Sequence, residues 1–118
     1  MVDDDELVGK AIGRTLGDFD VTYAQSANGA LGRLQAGGRF AAIVCDRRMP
    51  GMDGVQFHGA VERVDPALAH RIVFVTGWAH APEFEAFLRR TGCACLEKPF
   101  QAVELRRAVI ALVGGEVL

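Results

Sequence analysis

The stretch FAAIVCDRRMPGMDG, residues 40–54, carries the strongest fold signal in this chain of 118 residues. Its first six residues, 40–45, are all apolar, as in a central parallel strand that is covered on both faces. Asp46 follows directly, and a run rich in Gly, Pro and Met then breaks the strand. Asp53 can cap a helix with apolar residues on its inner face, namely Phe57, Ala60, Val61 and Val64. The stretch therefore predicts a strand, a loop and a helix.

Apolar runs and helix-period segments alternate along the rest of the chain. Further strands are predicted at Val2, around Val21 and Tyr23, at residues 72–75 and at residues 94–96. Further helices are predicted over residues 7–16, 27–34, 82–88 and 105–112. Ser26 precedes the second helix as an N-cap, and Pro82 fits the first turn of the fourth. Five strands alternating with five helices predict an α/β fold, a parallel sheet with helices on both faces.

The composition is that of an ordinary soluble globular domain, with 50% apolar and 24% charged residues. A formal net charge of −2 is too small to argue for nucleic-acid or membrane binding, and no stretch approaches the length of a membrane span. The acidic start MVDDDE is unlike a secretory leader, and only GGEVL follows the last predicted helix. We expect one cytoplasmic domain over residues 1–118, without a DNA-binding output domain. Solvated surface positions are expected for His58, His70, His80, Arg47, Arg48, Arg89 and Arg90.

The three cysteines, Cys45, Cys93 and Cys95, form no C-x-x-C pair. Cys93 and Cys95 would share one face of a strand. For a cytosolic domain this pattern predicts reduced, buried thiols instead of a disulfide or a metal pair.

Polar residues follow the predicted strands where the strands end: Asp3, Asp4 and Asp5 after the first, Asp46 after the third, Thr76 after the fourth and Lys98 after the fifth. In open parallel sheets, ligands bind beyond these carboxyl ends. If the first and third strands are neighbours, their carboxylates converge and repel, which a magnesium ion relieves while also binding phosphate oxygens. Lys98 adds a positive charge, and Thr76 adds a hydroxyl donor. The pattern predicts a phosphoryl-transfer site with Asp46 as the carboxylate nucleophile.

Four segments together resemble the receiver domains of response regulators in two-component signalling. They are VDDDE (2–6), IVCDRRMPGMDG (43–54), FVTGW (74–78) and LEKPF (96–100). Each segment alone would mean little, but their combination in this order and spacing is specific. The resemblance covers essentially the whole chain and implies a flavodoxin-like, doubly wound sheet with strand order 2-1-3-4-5.

The resemblance also implies a role for each matching residue. Asp46 would be the phosphoacceptor, Thr76 the switch hydroxyl and Lys98 the partner of the phosphoryl group. The implied cofactor is Mg²⁺, and its ligands would be Asp3, Asp4, Asp46 and the backbone carbonyl of Arg48. The bond from Lys98 to Pro99 is expected to be cis. The implied donor is a phosphohistidine on a sensor histidine kinase or a histidine phosphotransfer protein, and the face of the fourth helix, fifth strand and fifth helix is a candidate homodimer surface.

Two features depart from the family pattern. Cys95 stands three residues before Lys98, where an aromatic that changes rotamer with the threonine is usual, and cysteine is too small to swing in this way. Only two residues precede the acidic pair, so the first strand is expected to be truncated. Arg48 and Trp78 are expected to flank the phosphoryl group. Either their bulk limits the access of water, or both are partly exposed side chains without such a role.

Two other functions share parts of this pattern. A receiver-like interaction module that works without phosphorylation is favoured by Cys95, but it would have no use for the full set of site residues. A phosphatase with an aspartyl nucleophile usually needs a second acid two residues further on, where Arg48 stands. The receiver is therefore the preferred interpretation. Because Cys95 replaces the usual aromatic, a relay station that passes the phosphoryl group onward is favoured over a switch that drives an attached effector.

Overall fold

The computed structural model describes Val2, Arg14, Ala24 and residues 26–47, 51–77 and 81–114, with side chains described as far as Leu112. Helices and strands alternate along this part of the chain. In chain order they are α1 (Ala27–Gln35), β1 (Ile43–Asp46), α2 (Gly54–Val64), α3 (Pro66–Ala69), β2 (Ile72–Thr76), α4 (Pro82–Thr91), β3 (Ala94–Glu97) and α5 (Ala102–Gly114). The predicted helix over residues 7–16 lies outside the described residues, apart from the helical Arg14, and so does the strand predicted around Val21 and Tyr23.

The three strands form a parallel sheet in the order β1-β2-β3. Val2 extends this order, since it forms parallel bridges to Ala24 on one side and to Cys45 on the other. Its amide donates to the Val44 carbonyl over 2.8 Å, and its carbonyl accepts from the Asp46 amide over 3.0 Å. Val2 belongs to the first predicted strand, and β1, β2 and β3 are the third, fourth and fifth. These contacts therefore agree with the predicted strand order 2-1-3-4-5 and confirm the parallel α/β architecture.

Local sequence explains where the helices begin. The Ser26 hydroxyl accepts from the Gly29 amide at the start of α1, as predicted. At the start of α2, Asp53 and Gln56 form a reciprocal capping box, because each side chain accepts from the other residue's amide over 2.8 and 3.0 Å. α4 begins at Pro82, where the missing amide costs no helical hydrogen bond. The two predicted caps and the proline start are therefore confirmed.

One prediction near the end of α2 is wrong, and one short helix was not predicted. Val64 was expected on the inner face but is 41% exposed, because α2 ends there and the chain turns at Asp65 into the short helix α3. Leu68 and Ala69 of α3 are fully buried and supply the apolar contacts at this end of the core. A helix of four residues is too short to produce a periodic signal, so the sequence pattern missed α3.

The core on one face of the sheet is built around three residues in register across the strands. Cys45, Phe74 and Cys95 are lateral neighbours, so their side chains leave the sheet on the same side. Phe57 from α2 and Phe84 from α4 are buried in this cluster. The cysteines are all free, with Cys45 and Cys93 buried and Cys95 half-buried, so no disulfide forms.

His58 is also part of this buried layer, which corrects its expected surface position. Its exposed fraction is 6%, and its ring meets the Phe87 ring edge-on at 5.1 Å between centroids. The side chain is buried because α4 covers this face of α2, a tertiary contact that local sequence does not reveal. His70 is exposed as expected, and His80 lies outside the described residues.

No helix among the described residues is long and apolar enough to cross a membrane.

Candidate functional site

The carboxyl ends of the strands bring together an acidic and a basic side chain. Asp46 is the last residue of β1, and Lys98 follows β3 directly. Because β2 lies between these strands, the lysine side chain must reach across the edge of the sheet, and its Nζ lies 3.0 Å from Asp46 Oδ2. The Asp46 side chain is 13% exposed and that of Lys98 33%, so the pair is open to a small reactant at the surface.

Thr76 ends the middle strand and completes the group of predicted residues. It is almost fully buried, at 2% exposure, and stands one residue beyond the position that pairs with Asp46. Its carbonyl accepts a hydrogen bond of 2.7 Å from the Lys98 amide, so the main chain of the lysine is tied to the middle strand. The Lys98–Pro99 peptide bond is cis, as expected. Asp46, Thr76 and Lys98 therefore lie at one edge of the sheet.

The loop after Asp46 is anchored at both ends. The Arg47 amide donates to the Val75 carbonyl over 3.1 Å, and the Arg47 carbonyl accepts from the Gly54 amide over 2.7 Å. Gly54 is needed for this close approach, since a Cβ there would lie 2.9 Å from the Phe74 ring and 3.1 Å from the Arg47 Cα. Main-chain contacts thus hold the residue after the candidate nucleophile in place.

The Arg47 side chain packs against α4, which corrects its expected solvated position. Its guanidinium carbon lies 4.4 Å from the centroid of the Phe84 ring, a cation–π contact. Arg90 makes a similar but longer contact of 5.6 Å with Phe87. Sequence reasoning missed Arg47, because its aromatic partner is 37 positions further along the chain and follows no local periodicity.

Cys95 lies beside this contact. Burial raises the pKa of the Cys95 thiol to about 11, the positive charge of Arg47 opposes that rise, and Glu97 adds to it. The thiol is therefore protonated at neutral pH and acts as a small apolar group.

The predicted magnesium ligands are divided between described and undescribed parts of the chain. Asp46 is described, and its carboxylate suits a hard divalent cation. Asp3, Asp4 and Arg48 lie outside the described residues, as does Trp78. Val2, which precedes Asp3 in the sequence, is hydrogen-bonded to the Asp46 amide. Within the part of the chain that is described, no group of three His, Cys, Asp or Glu side chains could hold a metal ion.

Comparison with protein families gives one match over most of the chain. The model for the response regulator receiver domain matches residues 1–110. A solved structure of a response regulator receiver protein from Sinorhizobium medicae WSM419 superposes with a TM-score of 0.79 at 29% identity, covering 96% of this chain and 90% of that chain.

Curated relatives share the sequence over a small part of their own length. The C4-dicarboxylate transport transcriptional regulatory protein DctD of Rhizobium meliloti (strain 1021) is 36% identical over 108 residues, 89% of this chain and 23% of that protein. The response regulator protein FleR of Pseudomonas aeruginosa is 31% identical over 120 residues, covering 100% of this chain and 24% of that protein. The chain thus spans about a quarter of the length of these relatives.

Proposed function

We propose that this chain, which belongs to the family of response regulator receiver domains, accepts a phosphoryl group on Asp46. The observation that carries the proposal is the 3.0 Å contact between Lys98 Nζ and Asp46 Oδ2. A fixed ammonium beside the carboxylate offsets the negative charge that gathers there as the phosphoryl group arrives. As a receiver domain, the chain is a signalling domain and not an enzyme that turns over a pool of substrate.

The proposed reaction needs little from the protein beyond positioning. A carboxylate oxygen of Asp46 attacks the phosphorus of a phosphohistidine, so that a P–O bond forms and the P–N bond breaks. The departing imidazole nitrogen takes a proton from solvent water and leaves as neutral imidazole. Lys98 pairs with the phosphoryl oxygens, and the Thr76 hydroxyl donates to one of them. The position of Thr76 at the end of the middle strand, between the strands of Asp46 and Lys98, supports this role.

Magnesium is the cofactor that we propose for this site. The proposed ligands are Asp3, Asp4, Asp46 and the backbone carbonyl of Arg48. When bound, the ion would neutralise charge on the transferred phosphoryl group. The family supports this assignment, and so does the oxygen chemistry of the Asp46 carboxylate.

The proposed donor is a sensor histidine kinase or a histidine phosphotransfer protein in the cytoplasm. We propose that the chain relays the phosphoryl group onward and does not contact nucleic acid or a membrane.

Two further features are proposed for the surface of the domain. Arg48 and Trp78 are proposed to shield the phosphoryl group from water. A homodimer through α4, β3 and α5 is also proposed, and it is supported by Val103 and Ile110 of α5, which are 45% and 46% exposed.

The test is phosphorylation of the whole chain by acetyl phosphate with magnesium, followed by intact-mass measurement. The proposal predicts a gain of one phosphoryl group in the wild type and no gain in Asp46→Asn. Asp53→Asn is the matched control, because Asp53 lies seven positions further on at the exposed end of the same loop and asparagine still caps α2. This variant should gain the group as the wild type does.

Other outcomes would select another function. A folded wild type that gains no phosphoryl group from acetyl phosphate or phosphoramidate would favour the interaction module. Turnover of many donor molecules by each protein would favour the phosphatase.

A further inference from the structure

A groove runs along the surface between α2 and α4. The two helices are neighbours, because the His58 ring of α2 meets the Phe87 ring of α4 edge-on at 5.1 Å. Two hollows of about 490 and 380 Å³ lie along them, and both are lined by Val55, Phe87 and Arg90. Because the hollows share these residues, they form one continuous feature, the α2–α4 groove.

One stripe of side chains from each helix lines this groove. Both stripes follow the spacing i, i+3, i+4 and i+7, which places residues on one face of a helix. Gly59 of α2 has nothing within 4 Å of the place where a Cβ would be, and Ala86 of α4 is exposed. These small residues leave room for another helix at the centre of the groove. The stripes are Val55, His58, Gly59 and Glu62 on α2, and Glu83, Ala86, Phe87 and Arg90 on α4.

The charges along the groove differ between its two ends. α2 and α4 both begin at the carboxyl edge of the sheet and return to the amino edge, as crossover helices between parallel strands do. Asp53 and Glu83 therefore lie at the carboxyl end of the groove, and Arg90 lies at the amino end. Arg47 at the first end and Glu62 at the second reduce this difference but do not reverse it.

The groove stripe of α4 is complementary in charge to a second copy of itself. It begins with Glu83 in the first turn and ends with Arg90 in the last turn, seven positions later. In an antiparallel pair of α4 helices centred between positions 86 and 87, Glu83 of each copy lies opposite Arg90 of the other. The small Ala86 at the centre lets the helix axes approach to about 8 Å. The antiparallel direction also aligns the helix dipoles favourably.

We propose that this chain forms a symmetric dimer in which α4 of each copy lies antiparallel along the α2–α4 groove of the other. A two-fold axis makes every contact occur twice, so two pairs of Glu83 with Arg90 form across the axis. This contact differs from the dimer through α4, β3 and α5, because it uses the side of α4 that faces α2. It needs no phosphoryl group on Asp46, so it stands or falls independently of the proposed phosphoacceptor.

The first test is sedimentation equilibrium of the whole chain at increasing protein concentration. The wild type should dimerise, and salt should weaken the dimer because exposed ion pairs are screened. Arg90→Glu should raise the dissociation constant about 10-fold or more, since like charges then face each other twice. Arg89→Glu is the matched control, because it makes the same charge change at the neighbouring exposed residue, which lines neither hollow. This control should dimerise as the wild type does.

A double charge reversal separates a direct contact from a general effect of charge. Glu83→Arg combined with Arg90→Glu should restore the dimer, because the two-fold axis again places opposite charges together. A monomeric wild type, equal weakening by Arg89→Glu and Arg90→Glu, or a folded double variant that stays monomeric would each overturn the proposal. So would a dimer that is lost in Ile110→Lys and unchanged in Arg90→Glu, since it would lie on the α5 face. Circular dichroism checks that each variant is folded.

The second test locates the two-fold axis with a new cysteine. Mild oxidation should link Ala86→Cys into a covalent dimer faster than Arg89→Cys, because position 86 lies beside the axis, where a disulfide can close. The wild type, with its own three cysteines, is the blank. Non-reducing intact mass follows the linked dimer with time. Equal rates of linkage at positions 86 and 89 would contradict the proposed contact.

Discussion

The main chain of Lys98 is tied to that of Thr76, because the Lys98 amide donates to the Thr76 carbonyl over 2.7 Å. This bond continues the pairing of β2 with β3 one residue beyond the strand. It fixes where the lysine side chain begins, and the side chain then reaches Asp46. The position of Lys98 thus depends on its backbone, and substitution of its side chain should affect the site more than the fold.

Lys98→Met should slow phosphoryl uptake without unfolding the protein. A hydrogen bond to a charged group is worth about 1.5–3 kcal/mol, so we expect a loss of roughly 10–100-fold in the rate with acetyl phosphate. A surface ion pair contributes about 0–1 kcal/mol to folding, so the free energy of unfolding should change little. Time-resolved intact mass and urea denaturation measure the two quantities. Lys98→Arg is the matched control that keeps the charge, and an unchanged rate in Lys98→Met would remove the lysine from the mechanism.

Gly54→Ala should destabilise the protein, whereas Gly59→Ala should not. A Cβ at position 54 would meet the Phe74 ring at 2.9 Å and the Arg47 Cα at 3.1 Å, and such overpacking costs about 1–3 kcal/mol. A Cβ at Gly59, in the same helix, meets nothing within 4 Å, and alanine there should add about 0.5–1 kcal/mol through helix propensity. Urea denaturation of both variants checks this pair. Equal effects at the two positions would contradict the close approach of α2 to the start of the loop that follows Asp46.

Protonation of His58 should lower the free energy of unfolding in mild acid. Burial lowers the pKa of His58 below 6.5, with Arg90 and His70 adding to the effect and with Glu62 and the Ala69 carbonyl opposing it. Its Nε2 is buried and has no hydrogen-bond partner among the residues that the structure describes, so a proton there gains no partner from them. Around these pH values the folded state binds fewer protons than the unfolded state. The contribution of neutral His58 to the free energy of unfolding is therefore present above about pH 6.5 and is lost as the pH falls below that value.

The measurement is the free energy of unfolding against pH, from urea denaturation between pH 5 and 8. His58→Phe should lack the loss of stability that the wild type shows below about pH 6.5. His70→Gln, a change at the exposed residue that follows α3, should show most of the wild-type loss of stability below that pH. A wild-type curve that matches that of His58→Phe would rule out His58 as the source.

Cys95 should react slowly with alkylating reagents at neutral pH, because burial raises its pKa to about 11. Arg47→Met removes a charge that lowers this pKa and should slow the reaction further. Glu97→Gln removes a charge that raises it and should speed the reaction. Peptide mass analysis of iodoacetamide labelling against pH follows Cys95 separately from the more deeply buried Cys45 and Cys93. Changes in the same direction for both variants would contradict the electrostatic account.

Much of the fold follows from sequence alone, because its signals are local. The predicted strand over residues 72–75 matches β2, which extends it by one residue, and the caps at Ser26 and Asp53 lie at the predicted helix starts. The strand expected from residue 40 begins at Ile43 instead. The Arg71 side chain donates to the Ala41 carbonyl just before this strand. The apolar residues before Ile43 therefore lie near the sheet without taking part in strand pairing.

The site was predicted only in part, for a physical reason. Asp46, Thr76 and Lys98 each end or follow a strand, and the geometry of a parallel sheet brings such positions together. Arg47 and His58 depend on rings of α4, which no short-range pattern relates to them. Side chains whose environment comes from a distant helix need the tertiary structure.

The most direct measurement traps the phosphoryl group on its residue. Borohydride reduces an acyl phosphate to an alcohol, so the whole chain is treated with acetyl phosphate and magnesium, then with borohydride, and is mapped by peptide mass. The account predicts conversion of Asp46 to homoserine in the wild type, with Asp53 unchanged. Trapping at another carboxylate, or no trapping in a folded wild-type chain, would contradict the claim that Asp46 is the phosphoacceptor.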